Sequence, residues 1–122
     1  MLALLLGATG AGAQQVSNLT GLPSYPNINS AFMDGVVRTD ALGRWCAHFS
    51  ASTGDPLERV ESWYRKALLK ASETNLEHDS TYAKYVSLNG IKLNLGVDYV
   101  AVYKISSQAP TTIDLYRCAP VK

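Results

Sequence analysis

A chain of 122 residues with 47% hydrophobic and 17% charged side chains has the length of one domain and is too apolar for intrinsic disorder. Its 11 basic and 10 acidic residues leave a formal charge of +1, with no long basic run, which argues against nucleic acid or an anionic membrane surface as a partner.

Residues 1–13, MLALLLGATGAGA, carry no charged side chain and run from apolar to small. They end Ala11-Gly12-Ala13 before Gln14, the pattern of an export signal with its cleavage site. A glycine-rich phosphate turn of the short-chain dehydrogenase kind is the competing reading of Gly7 to Gly12. It needs a helix and a second parallel strand next, whereas Ser17, Gly21, Pro23 and Pro26 follow. The apolar stretch is too short to span a bilayer, and no cysteine follows it to carry a lipid, so no stable membrane insertion is expected after cleavage. The expected location is the periplasm or the medium.

Cys46 and Cys118 then belong to an oxidising compartment, where two cysteines are most simply a disulfide. A metal site would need ligands that the distant His48 and His78 do not supply at any motif spacing, and neither a metal nor another cofactor is expected.

Residues 14–34 read as an N-terminal loop or arm, rich in Asn, Ser, Gly and Pro at its start. Asn18-Leu19-Thr20 fits a glycosylation sequon. A single domain is expected over residues 35–122. A weakly marked strand over 35–39 turns near 40–43 into a better one from Arg44. There Trp45, Ala47, Phe49 and Ala51 alternate with Arg44, Cys46, His48 and Ser50.

Residues 55–71 predict one amphipathic helix. Leu57, Val60, Tyr64, Ala67, Leu68 and Ala71 share a stripe about 100° wide, with Trp63 on its flank. Asp55 reads as N-cap, Pro56 as first helical residue and Glu58 as the partner three residues on. Glu61 and Arg65 are spaced as an ion pair, and Leu69 points away to solvent. Residues 72–80 look structureless, and 81–88 favour a strand over a short helix. Asn89-Gly90 signals a turn; strands over 91–95, 99–105 and 111–118 follow, separated by turns at 96–98 and 106–110. The expected fold is α+β: an antiparallel sheet of four to five strands in the order ββαβββ, with the helix on one face.

Tyr25-Pro26, Asp55-Pro56 and Val60-Glu61-Ser62-Trp63-Tyr64, with the closing residues 112–118, resemble small exported bacterial proteins of uncharacterised families sharing a "YP…DP…V..WY" layout. The resemblance covers most of the chain beyond residue 13 and implies no activity and no functional residue.

No P-loop, HExxH, GxSxG or CxxC occurs, so no residue is assigned as catalytic. His48 with Asp114 on the same sheet face offers a base and an orienting carboxylate, which makes a small envelope hydrolase the alternative reading. If Val100 and Val102 face the helix, Tyr99 and Tyr103 face away from it. With Tyr116, Arg44, His48, Lys92 and Asp114 they form an aromatic and polar surface opposite the helix. Tyrosine combines apolar area with a hydrogen-bonding tip, so that face suits an envelope protein, peptide or glycan as partner. The expected protein is a disulfide-stabilised binding domain without enzymatic activity.

Overall fold

A computed structural model describes residues 18–39, 44–76 and 89–118, with 38, 39 and 44 described by backbone alone. The expected export signal over 1–13, the turn at 40–43, the strand over 81–88 and His78 lie outside the described residues.

Among the described residues, six antiparallel strands form one sheet: β1 (Ser30–Thr39), β2 (Arg44–Thr53), β3 (Ser72–Asn75), β4 (Asn89–Leu95), β5 (Asp98–Lys104) and β6 (Thr111–Cys118), with α1 (Leu57–Ala67) between β2 and β3. The spatial order is β1-β2-β6-β5-β4-β3. The chain lays down one hairpin, crosses the sheet through the helix to the far edge, and returns by a meander that sets β6 against β2.

The fold is α+β as expected, but with six strands rather than four to five. The additional strand is β3. Ser-Glu-Thr-Asn shows no apolar alternation, because all four residues of this edge strand are exposed; its backbone pairs with β4. Arg65 of α1 anchors it by a bidentate contact to Glu73, Nε to Oε1 at 2.8 Å and Nη2 to Oε2 at 2.9 Å. The expected Glu61–Arg65 pair therefore gives way to a longer-range one. The guanidinium holds the Glu73 carboxyl below its ordinary range, while burial pushes that of Glu61 up. β1 starts at Ser30, ahead of the expected residue 35, with a register shift between Ala31 and Met33.

The core lies on the helix side. Phe49 and Ala51 of β2, Ile113 and Leu115 of β6, Val100 and Val102 of β5, and Ile91 and Leu93 of β4 meet Leu57, Val60 and Tyr64 of α1. The expected phase of β5 is the observed one. The helix is shorter than its hydrophobic pattern: Ala67 is exposed, Leu68 is already the C-cap, and Ala71 follows the turn. Leu69 points to solvent as expected.

Asp55 does not cap the helix. Pro56 occupies the N-cap position, where its ring carries no acceptor for the first-turn N–H groups, and the Asp55 carboxylate is engaged elsewhere. It accepts from the Tyr25 hydroxyl and, at 3.0 Å, from Asn27 Nδ2, tying the arm to the start of the helix. The arm is a structural part of the domain. Leu22 and Tyr25 are buried in the main core, and Tyr64 Oη bridges the arm by accepting from Tyr25 N at 3.0 Å and donating to Pro23 O at 2.9 Å. Asn18 of the sequon acts locally: its Nδ2 donates to Ser24 Oγ at 2.7 Å and its Oδ1 accepts from Thr20 N at 2.9 Å.

This latch titrates. Burial, then the Asp55 contact, pushes the Tyr25 phenol up to about 12, and burial raises that of Tyr64 as well. Both groups keep their protons in the native state at a pH where the unfolded chain releases them. Their contribution is complete below about pH 10 and is lost as the pH rises toward the folded value. Tyr25→Phe is expected to flatten the fall in stability between about pH 10 and pH 12, measured by urea unfolding. An unchanged slope would place the arm's titration elsewhere.

Candidate functional site

The sheet face opposite the helix is built in register rows, since residues paired directly across antiparallel strands share a face. The first row is Cys46 of β2 opposite Cys118 of β6, joined as a disulfide with Cα atoms 4.0 Å apart. The expected bridge and strand neighbourhood are both present.

The next row runs His48, Tyr116, Tyr99 and Asn94 across β2, β6, β5 and β4. His48 stacks on Tyr116 with ring centroids 4.1 Å apart and planes 8° from parallel, and Tyr116 stacks on Tyr99 at 4.6 Å and 24°. Lys92 Nζ lies 4.2 Å from the Tyr99 ring centroid, a cation–π contact that closes the ladder. The strand spacing of about 4.8 Å lets three flat rings lie nearly face to face only where they occupy one row.

The third row is Ser50, Asp114, Ala101 and Lys92. Asp114 is its centre: its Oδ1 accepts from Ser50 Oγ, its Oδ2 accepts from Tyr103 Oη at 2.8 Å, and His48 Nε2 lies 3.5 Å from Oδ1. The side chains of His48 and Asp114 are 15% and 8% exposed. Ala101 is fully buried beneath Leu76, with Tyr99 and Tyr103 packed around them. The face is therefore half-buried rather than open. Leu76 and the burial of Ala101 escaped the sequence reading; a lone leucine in the polar stretch 72–80 was the only available signal.

Four of the five expected binding residues, His48, Tyr99, Tyr103 and Tyr116, gather on this face. Arg44 opens β2 one register step beyond Cys46, and its side chain is outside the described residues. Tyr103 doubles as a structural donor to Asp114, so its removal would disturb the site as well as any contact.

The order of the cluster differs from that of a serine–histidine–carboxylate relay. An activated serine hands its proton to an imidazole that a carboxylate orients. Here Ser50 donates directly to the carboxyl group, Asp114 sits between serine and histidine, and the imidazole lies flat on Tyr116. Among the described residues, no group of three or more His, Cys, Asp or Glu side chains is arranged to hold a metal ion. No described helix is long and apolar enough to cross a membrane.

No protein-family model, curated protein or solved structure matches the chain. The likeness noted above thus rests on the residue layout alone, of which Tyr25-Pro26, Asp55-Pro56 and Trp63-Tyr64 are part. The structure accounts for that layout: Tyr25 bonds Asp55, and Trp63 meets Tyr25 and Tyr64 edge-on at 5.6 and 4.8 Å. These residues form the latch between arm and helix.

Proposed function

We propose that this disulfide-stabilised domain is a non-enzymatic binding module of the periplasm or extracellular space, which recognises an envelope protein, peptide or glycan through the His48–Tyr116–Tyr99 ladder. The observation that carries the reading is the ladder itself. Three aromatic rings stacked face to face in one register row, each half-buried and with a lysine over the last, line up their edges and polar tips along the sheet surface. The disulfide in the adjoining row supports an oxidising compartment and export. The expected signal over residues 1–13 agrees with it.

The test is titration of the purified domain with soluble envelope glycan and peptide fragments, followed by calorimetry. Tyr116→Ala is expected to remove the central ring and weaken binding by about tenfold or more, since a stacked aromatic contact and its share of buried area are lost. Thermal melts of the same variant identify any loss due to unfolding. Undiminished binding by a folded Tyr116→Ala variant would reject the ladder as the recognition surface. A hydrolytic activity lost in a folded His48→Ala variant would reject the non-enzymatic reading.

A further inference from the structure

We propose that β1 is a dimerisation edge that pairs antiparallel with the β1 of a second copy of this chain, about a two-fold axis through Val36.

The two edges of the sheet are treated differently. β3 is four residues long, wholly polar, and anchored by Arg65 through Glu73, all of which discourage strand addition. β1 spans ten residues, contains neither proline nor lysine, and exposes Phe32 at 60% and Val36 at 61%. Its register irregularity is confined to Ala31/Met33, so the stretch from Met33 onward runs in unbroken register with β2. Among the described residues, no strand pairs with its outer side.

Main-chain alternation determines which residues face outward. Ser52 O accepts from Asn29 N, so Ser52 directs its peptide groups toward β1, and Ser50, His48 and Cys46 do so by alternation. Their partners Met33, Gly35 and Val37 turn back to meet them. Asp34, Val36 and Arg38 therefore direct their N–H and C=O groups away from the sheet. By backbone alternation the three are equivalent register positions of the strand, opposite Phe49, Ala47 and Trp45 of β2.

The triplet is self-complementary. With Val36 opposite Val36 of the second copy, Asp34 falls opposite the second copy's Arg38, and Arg38 opposite its Asp34. Each places residues of unlike charge at directly opposed register positions, while Asp34 Oδ1 also accepts from Leu19 N of the arm at 2.9 Å. The contact is isologous, as a closed two-fold dimer requires, and any register shift by two residues loses both charge pairings. A two-fold normal to the sheet joins the two sheets edge to edge and leaves their helices on one side. This inference does not depend on the ligand proposed above.

Sedimentation equilibrium over a dilution series tests it, using the chain with its disulfide formed. Wild type is expected to reach a dimer, and Asp34→Arg and Arg38→Asp, each placing like charges opposite one another, are each expected to raise the dissociation constant by about tenfold or more. Mixing the two variants opposes two arginines to two aspartates and is expected to restore a heterodimer of wild-type strength. Thermal melts establish that both variants are folded. A wild type monomeric across the series, single variants that dimerise as tightly as wild type, open-ended assembly, or a mixture that fails to pair would each overturn the proposal.

Discussion

Reduction of the Cys46–Cys118 bridge is expected to lower the melting temperature by roughly 15 °C. The cysteines are 72 residues apart, and closing so long a loop restricts the unfolded chain far more than it alters the native one. On the chain-entropy account the effect is about 4 kcal/mol, a large share of a domain's total stability. Both side chains are buried, so the thiols would remain packed where the sulfurs now are. The reduced protein should accordingly stay folded at low temperature and melt early. Calorimetric scans with and without reductant, compared with a Cys46→Ala, Cys118→Ala double variant, measure the effect. An unshifted melt with both thiols alkylated after mild denaturation would show that the bridge adds nothing. The same bridge pins the β2–β6 register one row from His48 and Tyr116, so reduction should also weaken binding through the aromatic ladder.

Gly90→Ala is expected to destabilise the fold by about 3 kcal/mol or more, an overpacking cost at the upper end of the usual range. A Cβ at position 90 would lie 2.0 Å from Val102 O and 2.6 Å from both Cα and Cβ of Tyr103. Most of these are backbone atoms of the adjacent strand, which cannot rotate aside as a side-chain terminus could. Relief requires β4 to move away from β5, drawing Ile91 and Leu93 off the core. Gly96 supplies the contrast. It takes φ +66° in the β4–β5 turn with nothing within 4 Å of its would-be Cβ, so Gly96→Ala should cost only about 1 kcal/mol of left-handed backbone strain. Urea unfolding of the two variants gives the ranking. Near-wild-type stability for Gly90→Ala would refute the close approach of β4 to β5.

Gly90 also marks a limit of local reading. Asn89-Gly90 has the composition of a hairpin turn, yet both residues lie in β4. Glycine is required there by the neighbouring strand rather than by its own φ, and a dipeptide signal does not distinguish the two needs. Asp55 followed the same course: Asp-Pro before an apolar periodicity is a sound capping pattern, but Tyr25 and Asn27 compete for the carboxylate from far along the chain. The strand β3 left no apolar alternation to read because all four of its residues are exposed.

What the chain determined by itself is wherever burial repeats with a local period. The stripe Leu57, Val60, Tyr64 specified one helix face, and alternation in β2, β5 and β6 placed Phe49, Val100, Val102, Ile113 and Leu115 toward it and His48, Tyr99, Tyr103 and Tyr116 away from it. Parity also put both cysteines on the second face, which made their pairing legible. The tertiary structure alone decided which of those outward residues share a row. Stacking of His48 on Tyr116 on Tyr99, and convergence of Ser50 and Tyr103 on Asp114, depend on the strand order β2-β6-β5 and its register. Periodicity gives each strand two faces but carries no information about which strand lies alongside or how far it has slid. That information resides in contacts between residues 11 to 68 positions apart, which form only when the sheet closes around its core.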